Sequence, residues 1–243
     1  MNAKTEQFDV PRNEAEAVAE QDRLRPLVEP DGPVPAPLRF IAGLDVAYAV
    51  DESRVAGVVT VLDADTLEPV ETATALRPVD FPYIPGLLAF REIPALLEAL
   101  AKLKLQHVPD VLVCDGYGLA HPRRFGLASH LGVLTGIPTF GVAKTPFIGE
   151  YDAPGPEPGD AADLREGGEV IGRVLRTRSG TKPVFVSVGH RIGLAAATEL
   201  TLRLTPRYRL PETTRQADHA SRAALAAAAS SAAAASAAAG RVT

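Results

Sequence analysis

The sequence predicts an α/β fold with one mixed sheet, in which an antiparallel three-strand meander continues into parallel strands and helices cover both faces. Two observations carry this prediction. Three short strand-like runs follow one another between residues 38 and 79, separated by turn residues, and strands joined in this way pair antiparallel. After residue 87 a helical spacing of apolar residues alternates with short, wholly apolar runs, which is typical of buried parallel strands.

The first half of the chain supplies one helix before the meander and one after it. Residues 13–28 are expected to form a helix capped by its asparagine, and a proline-rich loop then leads into the meander. The next helix has apolar residues at helical spacing from Leu88 onward. On its wheel Glu92 borders the buried face, whereas Arg91 and Glu98 are placed on the solvated side.

The second half is expected to alternate strands and helices, interrupted by an acidic, glycine-rich connector at residues 149–169. Beyond the connector two strands should form a hairpin, and Thr213 and Gln216 fit a capping box at the start of the last helix. The expected segments are strands at 110–116 and 137–143 around a helix at 123–136, strands at 169–177 and 182–190, and helices at 192–204 and 211–225.

The chain is expected to form one catalytic domain, residues 1–222, followed by an alanine-rich, low-complexity tail at 223–243 with no face to pack. The polar, acidic N-terminus lacks the features of a secretory signal, and no segment apart from the tail approaches the length of a membrane span. The one cysteine, Cys114, stands in an apolar run and is expected to be buried. These features predict a monomeric, cytoplasmic protein without a membrane partner.

The net charge of −5 hides an uneven distribution of charged residues. Residues 1–110 contain 19 acidic and 10 basic side chains, whereas residues 170–243 contain 3 acidic and 11 basic ones. A basic C-terminal third could follow the phosphates of a nucleic acid, but a solvated arginine-rich face explains the same charge equally well. Charge alone therefore leaves a nucleic-acid partner open.

Three carboxylates occupy positions where burial is expected. Asp45 lies inside an apolar strand, Asp115 ends another, where parallel strands commonly hold ligands, and Glu92 borders the buried face of its helix. Taken alone, Asp45 is explained better by a bond to backbone. Buried acids either have a raised pKa or bind cations, and oxygen ligands favour Mg²⁺ or Mn²⁺. With no zinc cluster, phosphate-binding loop, nucleophile elbow or tryptophan, metal-assisted phosphodiester chemistry fits these residue types best.

Five segments in residues 10–222 closely resemble the endonuclease V family, the deoxyinosine 3′ endonucleases. They read GLDVAY, PYIPGLLAFRE, DGYGLAHPRRFGLASHLGVLTGIPTFGVAK, LRTRSGTKPVFVSVGHRI and YRLPETTRQAD. The resemblance implies a ribonuclease H-like fold and a DNA repair enzyme that uses Mg²⁺, with Mn²⁺ expected to substitute. Such an enzyme recognises deoxyinosine in DNA and hydrolyses the second phosphodiester bond on its 3′ side. An endoribonuclease acting on inosine-containing RNA, or a non-catalytic nucleic-acid binder with this fold, are the alternatives.

The resemblance also implies roles for individual residues. The expected catalytic residues are Asp45, Glu92, Asp115, His121, Lys144 and Asp218, of which Asp45 and Asp115 bind the metal. The pocket for the displaced hypoxanthine matches Gly86, Leu88, Gly116, Gly126 and Leu127. The wedge that separates the lesion from its partner strand matches Pro82, Tyr83, Ile84 and Pro85. For Tyr83 the alternative is a ring packed on the core.

Overall fold

The computed structural model describes residues 8–239, with the side chains of Leu105 and of residues 232–239 left out of the description. Five helices and eight strands follow one another along this part of the chain, together with short 3₁₀ turns after α1 and α2. In chain order the elements are α1 (Glu14–Leu24), β1 (Phe40–Tyr48), β2 (Arg54–Asp63), β3 (Pro69–Pro78), α2 (Ala89–Ala101), β4 (Val111–Asp115), α3 (Leu127–Thr135), β5 (Thr139–Ala143), β6 (Ala161–Glu166), β7 (Glu169–Leu175), β8 (Val184–His190), α4 (Leu194–Arg203) and α5 (Glu212–Ala239).

The eight strands form one mixed sheet in the order β3-β2-β1-β4-β5-β8-β7-β6. The predicted meander is confirmed, since β1 pairs antiparallel with β2 and β2 with β3. The parallel half is confirmed as well, because β4 lies parallel to both β1 and β5. The hairpin of β7 and β8 then extends the sheet antiparallel from β5. This is the ribonuclease H-like arrangement that the family resemblance implied.

The acidic connector contains a strand that the sequence did not predict. Within residues 149–169, β6 forms the edge of the sheet and pairs antiparallel with β7. Only Leu164 of this strand is fully buried, so the strand lacks the alternation of apolar and polar residues by which a strand is predicted. Its position depends on backbone hydrogen bonds to its neighbour, and these leave no signature in the local sequence.

Apolar side chains fill both sides of the sheet. On one side Ile93 and Leu96 of α2 and Leu131 of α3 pack against β1 and β4. On the other side Ala197 and Leu200 of α4 pack against β4, β5 and β8. The predicted helices on both faces are therefore confirmed, and an apolar core lies on each side of the sheet.

Helix α5 crosses β1 at a point where no side chain fits. A Cβ atom on Gly43 would lie 2.0 Å from the carbonyl oxygen of Thr213. The helix begins at Glu212, so Thr213 lies inside its first turn, and the predicted capping box with Gln216 is wrong. The reason is tertiary: close packing on Gly43 sets where the helix starts, and the buried Thr213 hydroxyl has no hydrogen-bond partner within residues 8–239.

Two other helix predictions differ from the structure in detail. Helix α3 begins at Leu127 rather than residue 123, because Arg124 takes a positive φ of 54° that interrupts a helix. Its end is as predicted, with Gly136 in the left-handed conformation at φ 69°. Helix α5 continues into the predicted tail, and its side chains from Arg222 to Ser231 are mostly exposed. The remainder of that tail lies outside the described side chains.

Within residues 8–239, no helix combines the length and the apolar character that crossing a membrane requires. Cys114 is buried as predicted, and burial raises the pKa of its thiol.

Candidate active site

The parallel pairing of β1 and β4 brings two aspartates together. Leu44 lies opposite Cys114 in this pair, so the next residues along the two strands, Asp45 and Asp115, are neighbours in register. Strand alternation turns the two carboxylates to the side of the sheet that α5 covers. Accordingly, Ser221 of α5 donates a hydrogen bond of 3.1 Å to Oδ2 of Asp45.

Glu92 reaches the same place from α2. Its side chain is buried, as the helical wheel predicted for this position. A cavity of about 220 Å³ is lined by Asp45, Glu92 and Asp115 together with apolar residues and Tyr48. The Tyr48 hydroxyl lies 3.4 Å from Oε1 of Glu92, to which it donates a long hydrogen bond. The three acids predicted from separate elements therefore share one cavity.

Burial and mutual repulsion raise the proton affinity of this cluster. Burial is the larger cause and the charge of Asp115 the next, and together they raise the pKa of Asp45 to about 6. Burial, followed by the charges of Asp45 and Asp115, raises the pKa of Glu92 to about 8. The cavity therefore disfavours the ionised carboxylates unless a positive charge is close by.

Lys144 supplies one such charge just beyond the end of β5. Its Nζ donates a hydrogen bond of 2.6 Å to Oδ2 of Asp115. Partial burial is the largest single influence and disfavours the ammonium group, but the hydrogen bond to Asp115 and the charges of the neighbouring acids together outweigh it and raise the pKa of Lys144. The lysine thus holds its proton at the rim of the carboxylate cluster.

A second, larger cavity opens beside the first. It has a volume of about 390 Å³ and shares Glu92 and Asp115 with the carboxylate cavity. Its wall includes all five residues of the predicted base pocket, namely Gly86, Leu88, Gly116, Gly126 and Leu127, and also Lys144 and His121. The structure therefore brings the predicted pocket and five of the six predicted catalytic residues, all except Asp218, to one continuous depression.

Two of the four residues of the predicted wedge lie at the rim of the larger cavity. Tyr83 and Pro85 line it, and 65% of the Tyr83 surface is exposed, so its ring is not packed in the core. Ile84 instead packs against a small apolar cluster that includes Phe90. Pro82 is exposed and lies outside the cavity. The loop is thus held by Ile84 and presents Tyr83 to solvent.

Arg91 contradicts its predicted place on the solvated side of α2. It is 6% exposed, and its Nη2 forms an ion pair of 2.8 Å with Glu52 on the β1–β2 turn. Its guanidinium carbon lies 4.9 Å from the centre of the Tyr48 ring and 5.9 Å from that of Tyr83. The helical-wheel prediction is wrong here because the β1–β2 hairpin and the wedge loop cover the outer face of α2.

His121 binds the backbone of the wedge loop. Its Nδ1 accepts from the backbone N–H of Arg123, which leaves Nε2 to donate to the Gly86 carbonyl at 3.0 Å. Burial, and after it the charge of Arg123, lower the pKa of His121 to about 4, so the ring is neutral at physiological pH. The same carbonyl also accepts from Gln21 and from Arg123. Three side chains therefore hold Gly86 in place.

Several of these residues were not predicted from the sequence. Tyr48 ends the GLDVAY segment, and Ser221 follows Asp218 by one helical turn, so both had a local signal. Gln21 on α1 had none, because it lies 65 residues from the Gly86 carbonyl that it binds. Asp218 lies outside both cavities and forms an ion pair of 2.7 Å with Arg222, but its charge contributes to the raised pKa of Asp45.

Oxygen atoms are the available ligands for a cation at this site. Within residues 8–239 no group of three or more His, Cys, Asp or Glu side chains is arranged to hold a metal ion. The assignment of a metal to Asp45 and Asp115 therefore stays a prediction. Their carboxylates nevertheless fit a hard divalent cation, because they are adjacent, largely buried and in mutual repulsion.

Comparison with known proteins gives consistent matches over most of the chain. Residues 22–219 match the family model described as Endonuclease V. The Endonuclease V of Streptomyces avermitilis is 57% identical over 216 residues, which cover 88% of this chain and 93% of that protein. A crystal structure of Endonuclease V from the same species superposes with a TM-score of 0.87 at 56% identity, covering 90% of this chain and 96% of the other. Endonuclease V of Ciona intestinalis, solved in complex with a 24mer DNA containing an inosine followed by a ribo-adenosine, gives a TM-score of 0.75 at 29% identity, covering 87% and 97%.

The ribonuclease H-like fold and the family match define the class of the protein, a nuclease and thus a hydrolase. The matching segment spans well over half of the sequence, and the relatives are matched over nearly their whole length. The chain belongs to the endonuclease V family.

Proposed function

We propose that this protein cleaves DNA containing deoxyinosine, hydrolysing the second phosphodiester bond 3′ to the lesion with Mg²⁺, for which Mn²⁺ substitutes. The observation that supports this is the continuity of the two cavities, which share Glu92 and Asp115. A base displaced into the larger cavity and a phosphate of the same strand can then be bound together. The Ciona intestinalis relative, which was crystallised with inosine-containing DNA, supports the same substrate.

Asp45 and Asp115 would hold the cation. When bound, a divalent cation would supply positive charge that offsets the charge of the phosphate and favours ionisation of nearby water. It would also lower the pKa values that burial and repulsion have raised, so that Asp45 and Glu92 ionise at neutral pH.

The remaining groups of the site act on the water and the phosphate. Ionised Glu92 accepts a proton from the attacking water, and Tyr48 orients its carboxylate through the long hydrogen bond. Lys144 keeps its proton and can turn from Asp115 to the scissile phosphate, where it offsets negative charge.

Base recognition would be carried by the larger cavity and its rim. An inosine pairs weakly in a duplex, so displacing it costs less free energy than displacing a normal base. Tyr83 fills the vacated place in the stack, and the neighbouring prolines limit the conformations that its loop loses on binding. The Gly86 backbone, held by Gln21, His121 and Arg123, keeps the pocket wall in a fixed position.

Inosine-containing RNA is the second candidate substrate. The DNA bound by the Ciona intestinalis relative carries a ribo-adenosine after the inosine, so a 2′-hydroxyl is accommodated at that position in that protein. A non-catalytic binder is less well supported, because all four acid positions of the family pattern are filled in this sequence.

The deciding experiment compares matched DNA and RNA oligonucleotides that carry inosine or adenine, with Mg²⁺ or with a chelator. We expect cleavage of the inosine strands in Mg²⁺ and none with chelator. Asp45→Asn and Asp115→Asn should abolish cutting while inosine-DNA binding stays measurable, and Asp65→Asn, an exposed aspartate far from the cavity, should behave like the parent. Equal cleavage of adenine strands, or near-parental rates in Asp45→Asn, would overturn the assignment.

A further inference from the structure

Two loops beside the active site carry a continuous strip of basic side chains, here called the basic ridge. Arg176, Arg178 and Lys182 come from the segment between β7 and β8, and Arg207 and Arg209 from the segment between α4 and α5. The two segments are joined by hydrogen bonds: Arg178 Nη1 donates to the Arg207 carbonyl at 2.5 Å, and Arg209 Nε donates to the Lys182 carbonyl at 2.7 Å. The five cations therefore form one surface, although the loops lie apart in sequence.

Nearby acids offset only part of the positive charge of the basic ridge. Within residues 8–239 none of its five side chains forms an ion pair, and the hydrogen bonds of its arginines go to backbone carbonyls. Two carboxylates near it have other partners, since Glu157 accepts from Ser179 and Glu212 pairs with Arg215. The charge of Arg207 contributes to the lowered pKa of Glu212 but forms no ion pair with it. On α1 and its flanks, by contrast, arginines are paired with acids: Arg12 with Glu16, Arg23 with Glu20 and Arg25 with Asp22.

One end of the basic ridge contacts the active site directly. Arg209 Nη2 donates to the carbonyl of Lys144 at 2.7 Å and to that of Pro183 at 2.8 Å. From there the strip leads outward to Arg178, Lys182 and Arg207, which are all exposed. A polyanion whose phosphate lies at Lys144 would therefore meet the ridge as it leaves the site.

We propose that the basic ridge binds the phosphate backbone of the nucleic acid outside the active site, independently of base sequence. The inference rests on the proposed function only in that the substrate is a nucleic acid. Positive side chains beside the site attract a polyanion in addition to any cation held by the carboxylates. Guanidinium groups anchored on backbone carbonyls keep further N–H donors for phosphate oxygens, and such contacts position a nucleic acid without reading its bases.

The test measures binding of the full chain to two short DNA duplexes, identical except for one deoxyinosine, by fluorescence anisotropy with Ca²⁺ in place of Mg²⁺. The ridge variant is Arg178→Ala/Lys182→Ala/Arg207→Ala, and KCl is varied from about 50 to 200 mM. Each lost phosphate contact should reduce the slope of log affinity against log salt by about 0.9, so we expect a reduction of about 2 to 3. Affinity should fall roughly tenfold or more on both duplexes, with the preference for inosine unchanged.

Matched variants separate this outcome from misfolding and from general charge effects. Arg12→Ala/Arg25→Ala/Lys102→Ala removes the same charge from exposed, ion-paired positions and should keep the parental slope. Arg178→Lys/Arg207→Lys should also keep it, because the charge is retained. Lys182→Ala alone, which removes no side-chain hydrogen bond seen in the described residues, should lower the slope by about one unit.

An unchanged slope in the ridge triple variant, or an equal fall in the matched control, would overturn the proposal. A ridge variant that loses only its preference for inosine would overturn it too, since the strip would then act on the base. If the parent shows no preference for inosine, the proposed function fails, while the inosine-free duplex still decides whether the basic ridge binds phosphates.

Discussion

Glu92 is almost completely buried and has two negatively charged neighbours, Asp45 and Asp115. Its ionisation is therefore sensitive to any cation in the cavity. Burial and the charges of Asp45 and Asp115 raise its pKa to about 8, above the value of about 4.3 expected in an unfolded chain. A carboxyl group whose pKa is higher in the folded state stabilises the fold at low pH, and the stabilisation is lost as the pH rises through the folded-state pKa.

The metal-free protein should therefore lose stability as the pH rises from about 6.5 to the raised pKa of Glu92, about 8, and its stability should level off above that value. Below this window His121, whose pKa is lowered to about 4, makes the fold more stable as the pH rises. This gain obscures the smaller loss of stability that comes from Asp45. We expect the melting temperature in chelator to fall by about 3 to 5 °C from pH 7 to 9, and Mg²⁺ to reduce the fall.

Calorimetry of two glutamine variants checks this reasoning. Glu92→Gln should remove most of the pH dependence in the window, because the amide does not titrate. Glu98→Gln on the same helix is the control: its hydrogen bond to Lys102 lowers the pKa of Glu98, so it is already ionised throughout the window. A parental pH slope in Glu92→Gln would mean that another group titrates.

The element that distinguishes the site is the loop before α2 together with the first turn of that helix. Proline residues stiffen the loop, Ile84 anchors it in an apolar cluster, and the Arg91 guanidinium lies between the rings of Tyr48 and Tyr83. Because Tyr48 also contacts Glu92, one buried arginine connects the exposed tyrosine of the rim with the carboxylate cavity.

Tyr83→Ala should weaken binding of inosine-containing duplex DNA about ten- to hundredfold, because a stacked base–aromatic contact contributes about 1–3 kcal/mol. The loss should be smaller on single-stranded inosine DNA, where no partner strand has to be displaced. Tyr83→Phe should largely restore binding, since the ring alone stacks. Single-turnover cleavage and affinity on both substrates provide the measurement.

Tyr151→Ala is the matched control for that experiment, since Tyr151 is also a partly exposed tyrosine but packs on Phe185 away from the rim. It should leave both affinities unchanged. An equal loss on duplex and single-stranded DNA in Tyr83→Ala would assign the ring to the pocket and contradict the wedge.

For the whole molecule, α5 links the active site to the alanine-rich C-terminus. Its first turns pack against Gly43 and bring Ser221 to Asp45, whereas the side chains from Arg222 to Ser231 are mostly exposed. The division into a domain of residues 1–222 and a tail at 223–243 stays a prediction, and residues 1–7 and 240–243 lie outside the described part of the chain.

Deleting residues 226–243 should leave cleavage unchanged and shift the melting temperature by no more than about 2 °C, because the side chains at 226–231, where the described part of this segment ends, are mostly exposed. Ser221→Ala on the same helix provides the contrast, since it removes the hydrogen bond to Asp45. A larger fall in melting temperature, or a loss of cleavage in the truncated chain, would indicate that the tail docks on the domain.

The sequence by itself determined the type and order of almost all elements, because periods of two and 3.6 residues reflect which side of a strand or helix is buried. It also identified the three acids that meet in one cavity, since a carboxylate in an apolar run is conspicuous. Gly86, Gly116 and Gly126 lie inside motifs of the family and line the larger cavity, but their role in base binding stays a prediction.

Only the tertiary structure decided the features that depend on residues distant in the chain. Arg91 is buried by Glu52, 39 residues before it, and Gln21 reaches the Gly86 carbonyl across 65 residues. Strand β6 is held in the sheet by hydrogen bonds to β7. The basic ridge forms because hydrogen bonds join two loops that are separate in the sequence. Local periodicity reports whether a side chain is buried but not by what, and these contacts form only when the sheet brings distant segments together.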